Sequence, residues 1–183
     1  MKESNWKYLK SESGPNIGPL GTRYDTLKNP RNNKEIKIMV IEGRDAVNVV
    51  AITEQREVLL VRQLRFGTGE MSLELPGGLM NEGENQLDGI KRELREETGF
   101  SSSSWRYLTS VSSNPVFMNN YIHTWVARGV QLTNMLDLDD AEDIEIIKVS
   151  IPKLKELLIQ GAFTHPHAIS AVTAFLLKSG MLN

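Results

Sequence analysis

Between Gly78 and Phe100 the chain reads GLMNEGENQLDGIKRELREETGF. Four glutamates (Glu84, Glu93, Glu96 and Glu97), Arg92 and two glycines (Gly78 and Gly99) stand there at set intervals. Like charges a few ångströms apart repel by several kcal/mol at protein-like dielectric, so such a cluster calls for something positive among the acids. Hard divalent cations favour carboxylate oxygen, and Mg²⁺ is commonly held by a few carboxylates together with substrate phosphates. The residue types therefore point to metal-assisted chemistry on a phosphorylated substrate.

The spacing also predicts the scaffold that carries these groups. A helix is expected from about Gln86 to Thr98, with Asn85 as N-cap, Asp88 three positions on, and Gly99 as the stop. At 100° per residue, Leu87, Ile90 and Leu94 fall within about 60° of one another and form the core stripe. Glu93 and Glu97 lie about 40° apart, with Glu96 about 60° to the other side of Glu93, so all three share a face. That face is expected at the rim of a cleft beside the sheet, with Arg92 placed to pair with Glu84 or Glu96.

A bare EREE string is most often a solvated helix face. Here the whole pattern G-x5-E-x7-R-E-U-x-E-E-x-G-U is present, with Leu94 and Phe100 as the bulky apolar U. At ordinary residue frequencies a chance match is on the order of one in ten million. This box resembles that of the Nudix hydrolases, which cleave a diphosphate linked to a further group by attack of a metal-activated water. The resemblance implies an α/β/α sandwich with a mixed sheet. It also implies Glu93 and Glu97 as the main Mg²⁺ ligands (Mn²⁺ being a possible substitute), with Glu96 as ligand or supporting partner. Glu84 and Arg92 would orient them, and the Gly77 carbonyl would be a further ligand.

RQLRFGTGEMSLELPGG (62–78) is similar to the ADP-ribose pyrophosphatase and nucleoside-diphosphate-sugar subgroup, as is Pro115, fifteen residues beyond Phe100. Asn114-Pro115-Val116 departs from that subgroup's frequent Ser-Pro-Gly, which leaves the sugar open. ADP-ribose, GDP-mannose and a non-catalytic nucleotide-sensing module are the readings to separate. Arg65 is the candidate for gripping phosphate or the distal ribose, because its planar fork suits phosphate oxygens. Arg62, on the same side of the strand alternation, is a second candidate. In the subgroup that this chain resembles, the loop corresponding to the acidic LDLDDAEDIEI (136–146) supplies a glutamate near the metals. Glu142 is expected there as general base and further ligand, with Asp140 or Glu96 as alternatives. Trp6 and Tyr24 are candidates for stacking on the base. His123 reads as structural, and His165 and His167 as helix-entry residues.

The remaining features frame a domain. At 183 residues, with 40% hydrophobic and 24% charged residues, one globular domain with a small N-terminal addition is expected. A formal net charge of −2 gives no electrostatic case for nucleic acid. The absence of cysteine excludes disulfides and thiolate ligands and fits a reducing cytoplasm. MKESNWKYLK lacks the apolar stretch of a signal peptide, and no run approaches a membrane span. Residues 1–45, punctuated by Gly14, Pro15, Gly18, Pro19 and Gly21, predict a small β segment for substrate or dimer contacts. Its poorly covered edges suggest a homodimer. Residues 46–183 predict the catalytic domain: strands at 46–53, 57–64, 72–75, 105–112, 121–128 and 144–150, and helices opened by Pro152 and Pro166.

Overall fold

The computed structural model describes residues 5–18 and 20–181; Pro19, expected as a loop marker, lies outside them. Two compact units are present. The first runs up to Arg44 and includes Ser112–Tyr121, a segment that sequence reading assigned to the catalytic domain. Within it β1 (Lys7–Ser13), β2 (Gly21–Lys28) and β3 (Glu35–Glu42) form an antiparallel sheet in that order. The Ser112–Tyr121 segment is tied along its end: the Ile41 amide donates to the Phe117 carbonyl at 2.7 Å, and Asn120 Nδ2 donates to the Arg44 carbonyl at 2.9 Å. Asn119 Oδ1 accepts from the Gly43 amide. Both asparagines thus serve the backbone of this unit.

The second unit is built on a seven-stranded mixed sheet. Its strands are β4 (Ala46–Thr53), β5 (Glu57–Arg65), β6 (Glu70–Glu74), β7 (Phe100–Ser101), β8 (Ser104–Ser112), β9 (Tyr121–Leu132) and β10 (Glu145–Ser150). The central order is β10-β5-β4-β9-β7, with β6 paired to β5 and β8 to β9. β4 and β9 are parallel, while β5 runs antiparallel to β4, β6 and β10. The β4–β5 hairpin turns at Glu54-Gln55-Arg56, and Arg56 takes a φ of 62° there.

Strand alternation sends β4 side chains to two cores. Val47, Val49 and Ala51 pack with Ile90, Leu94 and Phe100, beneath helix α1 (Gln86–Thr98). Val50 and Ile52 pack with Leu154, Val172 and Phe175. Those residues come from α2 (Ile151–Ile159) and α3 (Pro166–Lys178). The sheet is therefore sandwiched between α1 on one face and α2 with α3 on the other, as expected. Asn85 caps α1 by accepting from the Asp88 amide, and Gly99 ends it at φ 72°. Trp105 and Trp125 pack at the edge of the α1 core, and the Trp125 ring meets Tyr107 edge-on. Among the described residues, no helix is long and apolar enough to cross a membrane.

Candidate active site

The turn that follows β6 and the buried edge of α1 build the site together. Val49 and Val47 of β4 donate to the carbonyls of Pro76 and Gly78, pinning the turn on either side of Gly77. Gly77 has a positive φ of 152°, and a Cβ on it would stand 2.1 Å from the Val47 carbonyl oxygen. No other residue fits without moving β4. Its amide, freed from the ladder, donates to Glu97 Oε2 at 2.8 Å. At Gly78 the crowding is of another kind: a Cβ would stand 2.6 Å from Glu93 Oε2.

Arg92 gathers the other acids. Its Nε donates to Glu84 Oε1 at 2.9 Å and its Nη2 to Glu84 Oε2 at 3.0 Å. Nη1 donates to Glu93 Oε1 at 2.8 Å and to Glu96 Oε2 at 2.9 Å, while Nη2 also reaches the Leu79 carbonyl. The expected pairing with Glu84 or Glu96 is in fact a pairing with both, and with Glu93 as well. This network holds the Glu84 carboxyl below the usual range.

Glu93 and Glu97 are buried rather than at a cleft rim, at 8% and 3% exposure. Burial pushes the Glu93 carboxyl up against the pull of Arg92, with Glu96 and Glu142 adding to the rise. Burial likewise pushes Glu97 up to about 8, despite the Gly77 amide, with Glu93 and Glu142 contributing. The departure from the helical-wheel expectation has a simple cause. Side chains four apart lean toward the same neighbour, and here that neighbour is the glycine turn, which lets them in because it has no Cβ.

Glu142 lies on the loop between β9 and β10. This loop is stapled to the end of α1: the Asn134 amide donates to the Gly99 carbonyl and the Asp137 amide to the Glu96 carbonyl, each at 3.0 Å. Glu142 Oε2 accepts from the Asp139 amide at 3.1 Å. Its charge acts on Glu93, Glu97 and Arg65, whereas Asp140 is exposed.

Arg65 donates from Nε and Nη2 to the two oxygens of Glu74, both at 2.7 Å. Arg62 does not share its side of the strand. Residues three apart on a strand face opposite ways, and Arg62 pairs instead with Glu145 on β10 at 3.2 Å. Glu74 is a residue that sequence reading left out of the site; in the β5–β6 register Arg65 stands opposite Glu70, and Glu74 opposite Val61. His123 is structural, held between Ser110 Oγ at 2.9 Å and Asp45 Oδ2 at 3.1 Å. Trp6, Tyr24 and Pro115 lie in the first unit, where Lys37 Nζ sits 5.0 Å from the Tyr24 ring centre and Pro115 is an exposed turn residue.

No three acidic or imidazole groups already converge on one point among the described residues. Arg92 and the Gly77 amide instead occupy the carboxylates that would do so. The donor set nonetheless fits a hard divalent cation. Glu93 and Glu97 are buried, burial pushes both carboxyls up, and one guanidinium is shared among Glu84, Glu93 and Glu96.

A mixed sheet between helices, with buried helix carboxyls facing a Gly-Gly turn, defines an α/β/α protein whose acids could hold a hard cation. Residues 43–171 match the model of the NUDIX domain. The chain belongs to the Nudix family. It is 27% identical over 128 residues to an ADP-ribose pyrophosphatase of Bacillus subtilis, covering 69% of each chain. It is 26% identical over 176 residues to an ADP-ribose pyrophosphatase of Mycobacterium tuberculosis, covering 95% of this chain and 84% of the relative. A methanol dehydrogenase activator of Bacillus methanolicus is 26% identical over 151 residues, covering 82% of each. The crystal structure of an ADP compounds hydrolase superposes with a TM-score of 0.84 at 21% identity, covering 99% of each chain, which shows the shared fold.

Proposed function

We infer that this protein is a divalent-metal-dependent hydrolase of the diphosphate bond in nucleoside diphosphate sugars, with ADP-ribose the leading substrate. One observation carries the reading: two buried carboxyls, Glu93 and Glu97, face the Gly77-Gly78 turn. Matched relatives called ADP-ribose pyrophosphatase and ADP-sugar pyrophosphatase support the substrate class.

Glu93, Glu97 and the Gly77 carbonyl are the proposed holders of Mg²⁺, for which Mn²⁺ is a substitute, with Glu96 and Glu142 as additional ligands. Bound there, the metal supplies Lewis acidity that acidifies a water and withdraws charge from the diphosphate oxygens. Glu142 is the proposed base that takes the proton of the attacking water. Its electrostatic reach to Glu93 and Glu97 favours it over the exposed Asp140. Arg65 is proposed to grip a phosphate, and Arg92 with Glu84 to keep the carboxylates aimed. Water oxygen bonds to one phosphorus, the bridging P–O bond breaks, and ADP-ribose yields AMP and ribose 5-phosphate. Trp6 and Tyr24 are proposed to contact the base. A homodimer through the first unit is the proposed assembly, favoured by its two sheet edges and by exposed Ile36, Ile38 and Met39 on β3.

The test is a panel of ADP-ribose, GDP-mannose and ATP incubated with Mg²⁺, with products separated by ion-exchange chromatography. AMP and ribose 5-phosphate from ADP-ribose are expected. Preferential release of GMP from GDP-mannose would reassign the sugar. Cleavage of ATP with no sugar nucleotide consumed would overturn the substrate class.

A further inference from the structure

Glu74 is a buried carboxylate that the hydrolytic scheme leaves without a task. It is 5% exposed, and both its oxygens accept from Arg65, whose side chain is 41% exposed. That bidentate grip commits Nε and Nη2 and leaves Nη1 uncommitted among the described residues. The charges of Glu97 and Glu142 act on the same guanidinium, so Arg65 lies within the field of the carboxylate site.

Near Glu74 Oε2, the oxygen that also accepts from Arg65 Nη2, stands His165, the N-cap of α3. Its Nδ1 accepts from the His167 amide at 3.3 Å. An imidazole that accepts at Nδ1 carries its proton on Nε2 in the neutral form. Here that Nε2 lies 3.9 Å from Glu74 Oε2, too long for a hydrogen bond but close enough for charge and dipole to act. Burial favours the neutral ring against the pull of Glu74. Cap and carboxylate thus address opposite nitrogens of one ring. The cap fixes the neutral tautomer whose proton is on Nε2, the ring nitrogen that stands near Glu74.

We propose that Glu74 aims Arg65 at a substrate phosphate and that His165 is a positioning residue that acts on Arg65 through Glu74. The inference rests on the reading of a diphosphate substrate gripped by Arg65. It assigns roles to two residues outside the metal-box helix.

The test compares E74Q, H165N and E74Q/H165N by steady-state hydrolysis of ADP-ribose with Mg²⁺ and by thermal melting. Asparagine is a good N-cap but is too short to reach Glu74. H165N is therefore expected to melt with the wild type while raising KM about threefold at near-constant kcat. E74Q is expected to raise KM about tenfold, and the double variant to be no worse than E74Q. A wild-type KM in H165N would reduce His165 to a helix cap and overturn the proposal, as would multiplying effects in the double variant. Should E74Q fail to fold, R65K and R65K/H165N take its place, with the same lack of multiplication expected. A readout without turnover separates this inference from the functional reading. In ¹⁵N-histidine spectra, the His165 Nε2 signal should shift in E74Q. An unshifted signal overturns the array whatever the activity, whereas a shifted signal in a wild type inactive on every diphosphate keeps the array and sinks the substrate reading.

Discussion

The amide of Gly77 donates to Glu97 Oε2 at 2.8 Å, joining the turn after β6 to the last turn of α1 by one bond. Both ends of that bond belong to the proposed metal site. The Glu97 carboxyl, pushed up by burial to about 8 from 4.5, gives it a pH signature. A carboxyl raised in the folded state binds its proton more tightly there than in the unfolded chain. Its stabilising contribution is complete below pH 4.5 and is lost as pH rises toward about 8. Metal-free protein should therefore lose stability across that window, and E97Q should flatten the slope. Denaturant titrations at several pH values test this. Mg²⁺ binding near pH 7 should release protons, which calorimetry in buffers of different ionisation enthalpy reads directly.

Adjacent glycines should fail differently. In G77A the new Cβ meets the backbone of β4 at a disfavoured φ, and a loss of about 3 kcal/mol or more is expected by chemical denaturation. In G78A the new Cβ meets the carboxylate end of Glu93, which can swing aside. That variant should fold but bind Mg²⁺ more weakly and turn over slowly.

Replacing Arg92 should cost fold and function together. R92A leaves Glu84, Glu93 and Glu96 facing one another without their shared guanidinium, a loss of about 3–5 kcal/mol. R92K restores charge but not the fork, so it should recover only part of the stability, and little of kcat. Added Mg²⁺ should raise the melting temperature of R92A more than that of the wild type.

The acidic loop offers two candidate bases, and their substitutions should part cleanly. E142Q should lower kcat by roughly a hundredfold or more with little change in KM. D140N, on an exposed side chain, should leave kcat within about twofold. A collapse in D140N with an active E142Q would exchange the two roles.

The fold was legible wherever a local rule governed it. Asn85 and Gly99 bracket α1, Pro166 opens α3, and the apolar runs at 46–53 and 57–64 are the β4–β5 hairpin. The two-residue β7 carries too little pattern to be seen. Nor does any local signal reveal that Ser112–Tyr121 belongs with the first unit, because that depends on backbone bonds to Ile41 and on the Asn119 side chain accepting from the Gly43 amide, far away in sequence. Within the site, residue types and spacing named the acids. They did not tell how deeply Glu93 and Glu97 sink, since depth is set by the missing Cβ atoms at Gly77 and Gly78. The Arg62 expectation failed on parity: an odd separation along a strand reverses the face. Glu74 was hidden because its partner Arg65 reaches it across a strand pair.

Arg92 has a consequence that reaches beyond catalysis. A single guanidinium spanning three acids offsets their repulsion with the protein's own charge. The newly made polypeptide can therefore settle its most repulsive corner in metal-poor surroundings. A cation at the proposed site would then meet carboxylates that are already assembled.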